Sequence, residues 1–386
     1  MGVVRLLLAL AVVIAHTKMP HFQQTVPGYV AVQGFYLISG FYMALVLSTK
    51  YNFPGSTWVF YKQRYLRLIP MYWLAVISVL LIGAFYSLRA GRFVGKLEAW
   101  SQFGGDTSIF TLAFLFVSQI TMFGLDAVMF LGLSGDPLTM HVTTNWATES
   151  LPAVKFMLVP PAWSLSVELL FYCLAPFIVR RSVLFQFGIV LVTFALRIAA
   201  GLWLNLSDDP WHNRFFPFEA GLFVLGSLSY RCLPRAEDFV RSQSILRHSA
   251  TIAICVAVFF YKGIPVHEEI RRWGFLTLIL VSIPILFAAT KRNVIDRKIG
   301  EISYPLYLLH PITLFGAEPI IRRLNGLPQE IAILLIPLLV AVGAYVLIEA
   351  PLDAWRSRFF ERQHKDRSGP PVSSTAQQPS LSTTET

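Results

Sequence analysis

The chain has 386 residues, of which 55% are hydrophobic and only 14% are charged, and its formal net charge is +10. A mean hydropathy of +0.58 over this length excludes a soluble globular domain. The apolar runs are long and continuous, so we predict an all-α, polytopic transmembrane helical bundle. No basic stretch is interleaved with aromatics on a soluble domain, so no nucleic-acid partner is expected. The three cysteines are scattered, and we expect neither a disulfide framework nor a metal site.

Apolar stretches that could form membrane helices occur along most of the chain. They cover about 3–19, 29–48, 68–88, 109–131, 158–179, 183–201, 215–230, 247–261, 272–290, 302–321 and 330–349. We expect residues 1–351 to form one membrane-embedded domain and residues 352–386 to form a basic, then disordered, cytoplasmic tail.

The distribution of basic residues predicts the orientation of the bundle. The positive-inside rule places the N-terminus and the basic tail on the cytoplasmic side. The same rule would place both Lys62–Arg67 and Arg89–Lys96 inside, although they flank one apolar stretch. We therefore expect about ten crossings plus one re-entrant or interfacial helix at 68–88.

The first apolar stretch carries two ionisable residues, Arg5 and His16. Eleven positions at about 100° per residue amount to roughly three full turns, so both side chains share one face, about 16 Å apart. A charge near the bilayer centre costs about 2.5–3.5 kcal/mol on insertion scales. This face is therefore predicted to serve a pathway or a reaction.

The fifth stretch opens with two prolines and then places Ser164, Glu168 and Tyr172 on one helical face. If this helix enters from the outside, the depth of Glu168 matches that of His16. A histidine with a carboxylate partner is a general-base arrangement, because the carboxylate orients the ring and stabilises the imidazolium. The alternative is that Glu168 only pairs with an arginine and holds the bundle together.

Further ionisable residues allow a functional and a structural interpretation. Arg64 and Arg67 lie on one face at a membrane edge, either as a positive-inside anchor or as a phosphate clamp. His310 precedes a helix-kinking proline and is either a structural hydrogen-bonding residue or a catalytic group. The remaining intramembrane or edge charges are candidates for substrate contacts or for internal pairing; they are Arg197, Arg214 and Glu219.

Taken in order, these motifs resemble the membrane-bound acyltransferase-3 family, which includes bacterial O-acetyltransferases of O-antigen, exopolysaccharide and Nod factor. The resemblance runs from Arg5 to about Pro351. The chain departs from the family at Gln33, where an acidic residue is common. The segments that carry the resemblance are Arg5-x10-His16, Phe35–Phe41, Arg64 with Arg67, Trp163–Tyr172, Tyr304–Pro311 and Ile348–Pro351.

The resemblance implies acyl transfer from acyl-coenzyme A, with acetyl-coenzyme A as the default donor, to a hydroxyl of a cell-envelope carbohydrate or glycolipid. Arg5, Arg64 and Arg67 would bind the donor, while His16 and Glu168 would be catalytic. Ser164, Tyr172 and His310 would contact substrate or support the structure. Membrane lipids and a carbohydrate or lipid-linked acceptor would be the other partners, in a bacterial inner membrane.

Two other classes of function remain open from the sequence. A transporter of a polar or acylated solute would also place ionisable residues inside the bundle. Transporters often show two related halves, and no such internal repeat is visible here. A structural membrane protein is the third reading, but it does not explain why polar motifs interrupt several apolar helices.

Overall fold

The structure is a computed structural model that describes residues 1–243 and 248–367, with side chains up to residue 358. The described chain is mostly helical, which confirms the predicted class. Its helices are α1 Gly2–Ala15, α2 Gly28–Thr49, α3 Ser56–Ala90, α4 Glu98–Phe103, α5 Ile109–Thr121, α6 Leu125–Val128, α7 Trp163–Ile178, α8 Val183–Leu204, α9 Trp211–Arg214, α10 Phe216–Ser229, α11 Leu233–Ser242, α12 Ser249–Phe259, α13 Glu268–Thr290, α14 Val294–Ile321, α15 Leu327–Ala344 and α16 Ala350–Arg367.

Six helical segments of the described chain are long and apolar enough to cross a membrane, which supports a multi-pass protein. Three further apolar helices, α1, α5 and α12, are shorter. The six segments are Gly28–Thr49, Ser56–Ala90, Pro160–Ile178, Val183–Leu204, Glu268–Thr290 and Leu327–Arg358.

Helix α3 corrects the expected re-entrant or interfacial element at 68–88. It is one continuous helix of 35 residues and runs beside α14. The Tyr304 hydroxyl donates to the Leu68 carbonyl at 2.6 Å, and the Tyr86 hydroxyl donates to the Gly316 carbonyl at 3.0 Å. The basic groups Lys62–Arg67 and Arg89–Lys96 therefore lie towards opposite ends of α3, so the positive-inside rule cannot place both of them inside.

Two regions of the structure differ from the simple pattern of apolar stretches. Residues Leu131–Ser134 and Thr139–Val142 form an antiparallel hairpin, β1 and β2, which the sequence did not predict. Residues Tyr345–Glu349 form a π-helical turn between α15 and α16. Residues up to 367 of the predicted tail continue as α16, and 368–386 lie outside the described residues.

Contacts near the N-terminus of the chain fix the start of α1 against the start of α14. The Gly2 and Val3 amides donate to the Asp296 carboxylate at 2.8 and 3.1 Å, which caps α1 with a negative charge. A side chain at position 2 or 300 would clash with the backbone of the other helix, so glycine is required at both contacts. This close approach positions Arg5 one turn into the bundle.

Candidate functional site

A cavity of about 410 Å³ lies among α1, α2, α3, α7, α13 and α14. Six of the eight site residues predicted from the sequence line it, although they come from three helices far apart in the chain. They are Arg5, Arg64, Arg67, Ser164, Glu168 and Tyr172. The volume falls in the range of small-molecule and cofactor sites. We call this space the arginine cavity.

Four arginines line the cavity, and the three that the sequence predicted have no carboxylate partner among the described residues. Arg5, Arg64 and Arg67 form no ion pair, and Nε of Arg64 is buried without a hydrogen-bond partner. The two carboxylates at the α14 wall are occupied elsewhere: Asp296 caps α1, and Glu301 accepts from the Tyr345 hydroxyl at 2.5 Å. The cavity therefore presents guanidinium groups that no ion pair neutralises, and such groups suit an anionic ligand.

The sequence predicted that Glu168 would orient His16, but in the structure the Glu168 carboxylate contacts other side chains. One of its carboxylate oxygens accepts hydrogen bonds from the Ser39 and Tyr172 hydroxyls, each at 2.5 Å. The α-helical turns of α7 begin only at Trp163, after a tight 3-10 turn at Pro160–Ala162. Ser164, rather than Glu168, contacts Tyr307, which precedes His310 by one helical turn, and Glu168 faces the arginine cavity one turn further along α7.

The imidazole of His16 instead contacts that of His310. Nδ1 of His16 lies 3.3 Å from Nε2 of His310 and 2.9 Å from the Val12 carbonyl, and Nδ1 of His310 lies 2.8 Å from the Tyr307 carbonyl. A carbonyl oxygen only accepts, so in the neutral rings both Nδ1 atoms carry hydrogen. Nε2 of His310 then accepts from His16, and the free lone pair of the dyad belongs to Nε2 of His16. His310 is fully buried, whereas His16 is exposed.

A hydrogen-bonded layer separates the arginine cavity from the two histidines. The Ser164 and Tyr307 hydroxyls are 2.7 Å apart, and the Tyr307 hydroxyl donates to the Pro161 carbonyl at 3.0 Å. Ser164 and Tyr307 line the cavity, while His310 follows Tyr307 by one helical turn. The anion-binding groups and the basic nitrogen thus occupy successive layers along α14.

Tyr36 and Tyr307 are among the residues near this site that were not predicted from the sequence. Tyr36 lines the cavity, and its hydroxyl is buried without a hydrogen-bond partner. Tyr307, one turn before His310, closes the layer described above. Both lie within segments that carry the family resemblance, Phe35–Phe41 and Tyr304–Pro311, and the signal that could have identified them is a polar hydroxyl inside an apolar helix.

Fold and site together define a multi-pass membrane protein with a cationic internal cavity beside a histidine pair. The chain belongs to the acyltransferase family whose model is described as "Acyltransferase domain", and that model matches residues 1–348. Membership implies an acyltransferase. No curated protein and no solved structure matches the chain.

Proposed function

We propose that this protein is an integral membrane O-acyltransferase that moves an acyl group, by default acetyl, from acyl-coenzyme A to a hydroxyl of a cell-envelope carbohydrate or glycolipid. The observation that supports it best is the set of unpaired guanidiniums in the arginine cavity, directly below a histidine pair with a free basic nitrogen. Family membership supplies the reaction class.

The donor would bind through its phosphates. Arg64 and Arg67 present guanidinium forks that suit phosphate oxygens, and Arg5 adds a third cation on the facing helix. The separation of Arg5 and His16, about 16 Å along α1, is comparable to the reach of an extended pantetheine arm. A donor anchored at the arginines can therefore bring its thioester to the layer of Tyr307 and His16.

His16 would act as the general base. Its Nε2 takes the proton from the acceptor hydroxyl while that oxygen attacks the thioester carbonyl carbon. The carbon–sulfur bond then breaks, and the departing thiolate receives the proton from the imidazolium, so an ester and free coenzyme A result. Positioned groups of this kind contribute about 10²–10⁴-fold to rate.

The other predicted residues take supporting roles in this proposal. His310 is a positioning residue, because its contact fixes the tautomer of His16. Glu168 holds Ser39 and Tyr172 in place and provides negative charge near the arginines. Ser164 and Tyr307 must separate for the thioester to reach His16, so this layer acts as the boundary between donor and acceptor sides.

Orientation and location follow from the same proposal. The arginine cavity would open to the cytoplasm, where acyl-coenzyme A is made, in a bacterial inner membrane. The His16 side would then face the outer half of the bilayer, where envelope carbohydrates are presented. No metal is part of this chemistry.

The proposal is tested with purified protein reconstituted in liposomes and radiolabelled acetyl-coenzyme A, on a panel of envelope glycans and glycolipids. We expect label on an acceptor with wild type and none with His16→Ala. His21→Ala is the matched control, because this nearby histidine is exposed and pairs with Glu330. If wild type neither consumes nor binds the donor, the proposal is wrong. Unchanged acylation in His16→Ala with blocked export would favour a transporter.

A further inference from the structure

A second cavity, of about 360 Å³, lies at the end of the bundle opposite the arginines. Its walls come from the second half of α3, from residues 95–96, from the segment before α7, and from the second half of α14. The lining is Ala75, Val79, Gly83, Gly95, Lys96, Leu158, Val159, Pro160, Leu308, Pro311, Ile312 and Phe315. We call it the Lys96 cavity.

Lys96 is the single ionisable residue among the described residues that line this space. It forms no ion pair and no hydrogen bond within the described part of the chain. Burial lowers the pKa of its ammonium. A partly desolvated cation in an apolar wall is stabilised when an anion sits beside it, so the cavity is suited to a ligand that is apolar along its body and anionic at one end.

The Lys96 cavity adjoins the histidine layer. Pro311 follows His310 directly, and Pro160 precedes the residue whose carbonyl accepts the Tyr307 hydrogen bond. Along α14, Tyr304, Leu308, Pro311 and Phe315 are spaced by three or four residues and share one face, which passes from the arginine cavity to the Lys96 cavity. The two cavities therefore lie on either side of the same reacting layer.

We propose that the Lys96 cavity binds an anionic phosphodiester lipid with a hydroxyl-bearing headgroup. The hydrocarbon chain of the lipid would pack against the apolar walls, and the phosphodiester would lie against the Lys96 ammonium. One cation balances the single charge of a phosphodiester, whereas a phosphate monoester or a diphosphate would leave further charge unmatched. This last step rests on the proposed function: a glycolipid of this kind is the acceptor, because a hydroxyl of its headgroup would be held beside His310 and His16.

The test measures lipid binding alone, without acyl donor. Purified protein in a neutral detergent is incubated with dioctanoyl phosphatidylglycerol, and retained lipid is quantified by native mass spectrometry. Dioctanoyl phosphatidylcholine tests the charge of the headgroup, and glycerol phosphate tests the headgroup without chains. We expect phosphatidylglycerol to bind at least tenfold more tightly than phosphatidylcholine, and glycerol phosphate not to displace it.

Three variants complete the test. Lys96→Ala should weaken phosphatidylglycerol binding at least tenfold and leave phosphatidylcholine binding unchanged. Arg92→Ala is the matched control, since this cation lies four residues away with a side chain that is 74% exposed, and it should bind like wild type. Val79→Phe fills the cavity and should reduce binding of both lipids without lowering the melting temperature of the protein.

Equal binding of the two lipids, displacement by glycerol phosphate, or wild-type binding by Lys96→Ala would each overturn the proposal. None of these results depends on acyl-coenzyme A. A negative lipid-binding result therefore does not contradict the proposed acyl transfer. A negative result in the donor and transfer experiments likewise does not contradict lipid binding in the Lys96 cavity.

Discussion

Buried charged side chains occur in two regions of this bundle, and the two regions differ in whether these side chains form ion pairs. Between α2, α8, α10 and α13, the charged groups have partners. Arg197 pairs with Glu219 at 3.0 Å, and the side-chain amide nitrogen of Gln33 donates to the same carboxylate. Nε of Arg272 donates to the side-chain oxygen of Gln33, Oε1, at 2.9 Å. We call this group the paired cluster. Glu219 and Arg272 are almost completely buried.

In the arginine cavity, by contrast, the guanidiniums of Arg5, Arg64 and Arg67 lie close together and form no ion pair with a carboxylate of the described residues. Like charges in a desolvated space repel, so this arrangement destabilises the unliganded protein. A folded protein that keeps such a group has a use for it, usually an anionic ligand. Pairing therefore distinguishes Arg197 and Glu219, which hold helices together, from the arginines that we propose bind the donor.

Removal of the His16 imidazole should give the largest effect while leaving both charged regions intact. We expect His16→Ala to lose about 10²–10⁴-fold in transfer rate, because the proposed base is gone and the remaining imidazole, that of His310, is fully buried. The melting temperature and the affinity for coenzyme A should match wild type. A variant that loses donor binding as well would place His16 in the binding site instead.

Breaking the paired cluster should affect stability. Glu219→Ala leaves Arg197 without its carboxylate and the Gln33 side-chain amide without its acceptor, and should destabilise the fold by about 3–5 kcal/mol. Thermal unfolding in detergent, followed by tryptophan fluorescence, measures this loss. Arg322→Ala is the control, because its pair with Glu318 is largely exposed, and it should unfold like wild type.

The same type of change in the arginine cavity should affect donor affinity. Arg67→Ala removes charge-assisted hydrogen bonds of about 1.5–3 kcal/mol and should raise the KM for acyl-coenzyme A by roughly 10–100-fold. Its melting temperature should equal or exceed that of wild type, since a repulsive charge is lost. Arg67→Lys should recover only part of the affinity, because the fork is missing. A large drop in stability would instead assign Arg67 to the scaffold.

The smallest expected effect is on the free energy of unfolding, comes from an ion pair at the surface, and depends on pH. Lys291 donates to Glu237 at 2.5 Å, and this hydrogen bond lowers the pKa of the Glu237 carboxyl. The stabilisation is therefore complete above the ordinary glutamate pKa of about 4.3 and is lost as pH falls through the lower, folded value. Glu237→Gln should unfold slightly more easily than wild type at pH 7, and this difference should vanish under acidic conditions. A difference that persists there would rule out this pair as its cause.

The spacing of residues along the sequence predicted which side chains share a face of the same helix. The spacing of Arg5 and His16, and that of Arg64 and Arg67, was enough to place each pair on one face. The helical class followed from hydropathy, because a lipid environment leaves the backbone few alternatives. Six of the eight predicted site residues indeed line one cavity.

Contacts between helices could not be predicted in the same way. Glu168 and His16 were matched by estimated depth, but the packing of α7 against α2 brings Glu168 to Ser39 and to Tyr172 of its own helix instead. The contact of His16 with His310 joins residues 294 positions apart and leaves no periodic signal. The β1–β2 hairpin begins inside an apolar stretch, where periodicity does not distinguish a short strand from a buried helix.

The central claim is that the unpaired arginines bind the donor and the histidine layer performs the reaction. Isothermal titration of coenzyme A into detergent-solubilised protein tests it most directly, with wild type, His16→Ala and the double variant Arg64→Ala/Arg67→Ala. The account predicts equal binding by wild type and His16→Ala, and at least 100-fold weaker binding by the double variant. Binding by the double variant that equals wild type, or no binding by wild type, would contradict it.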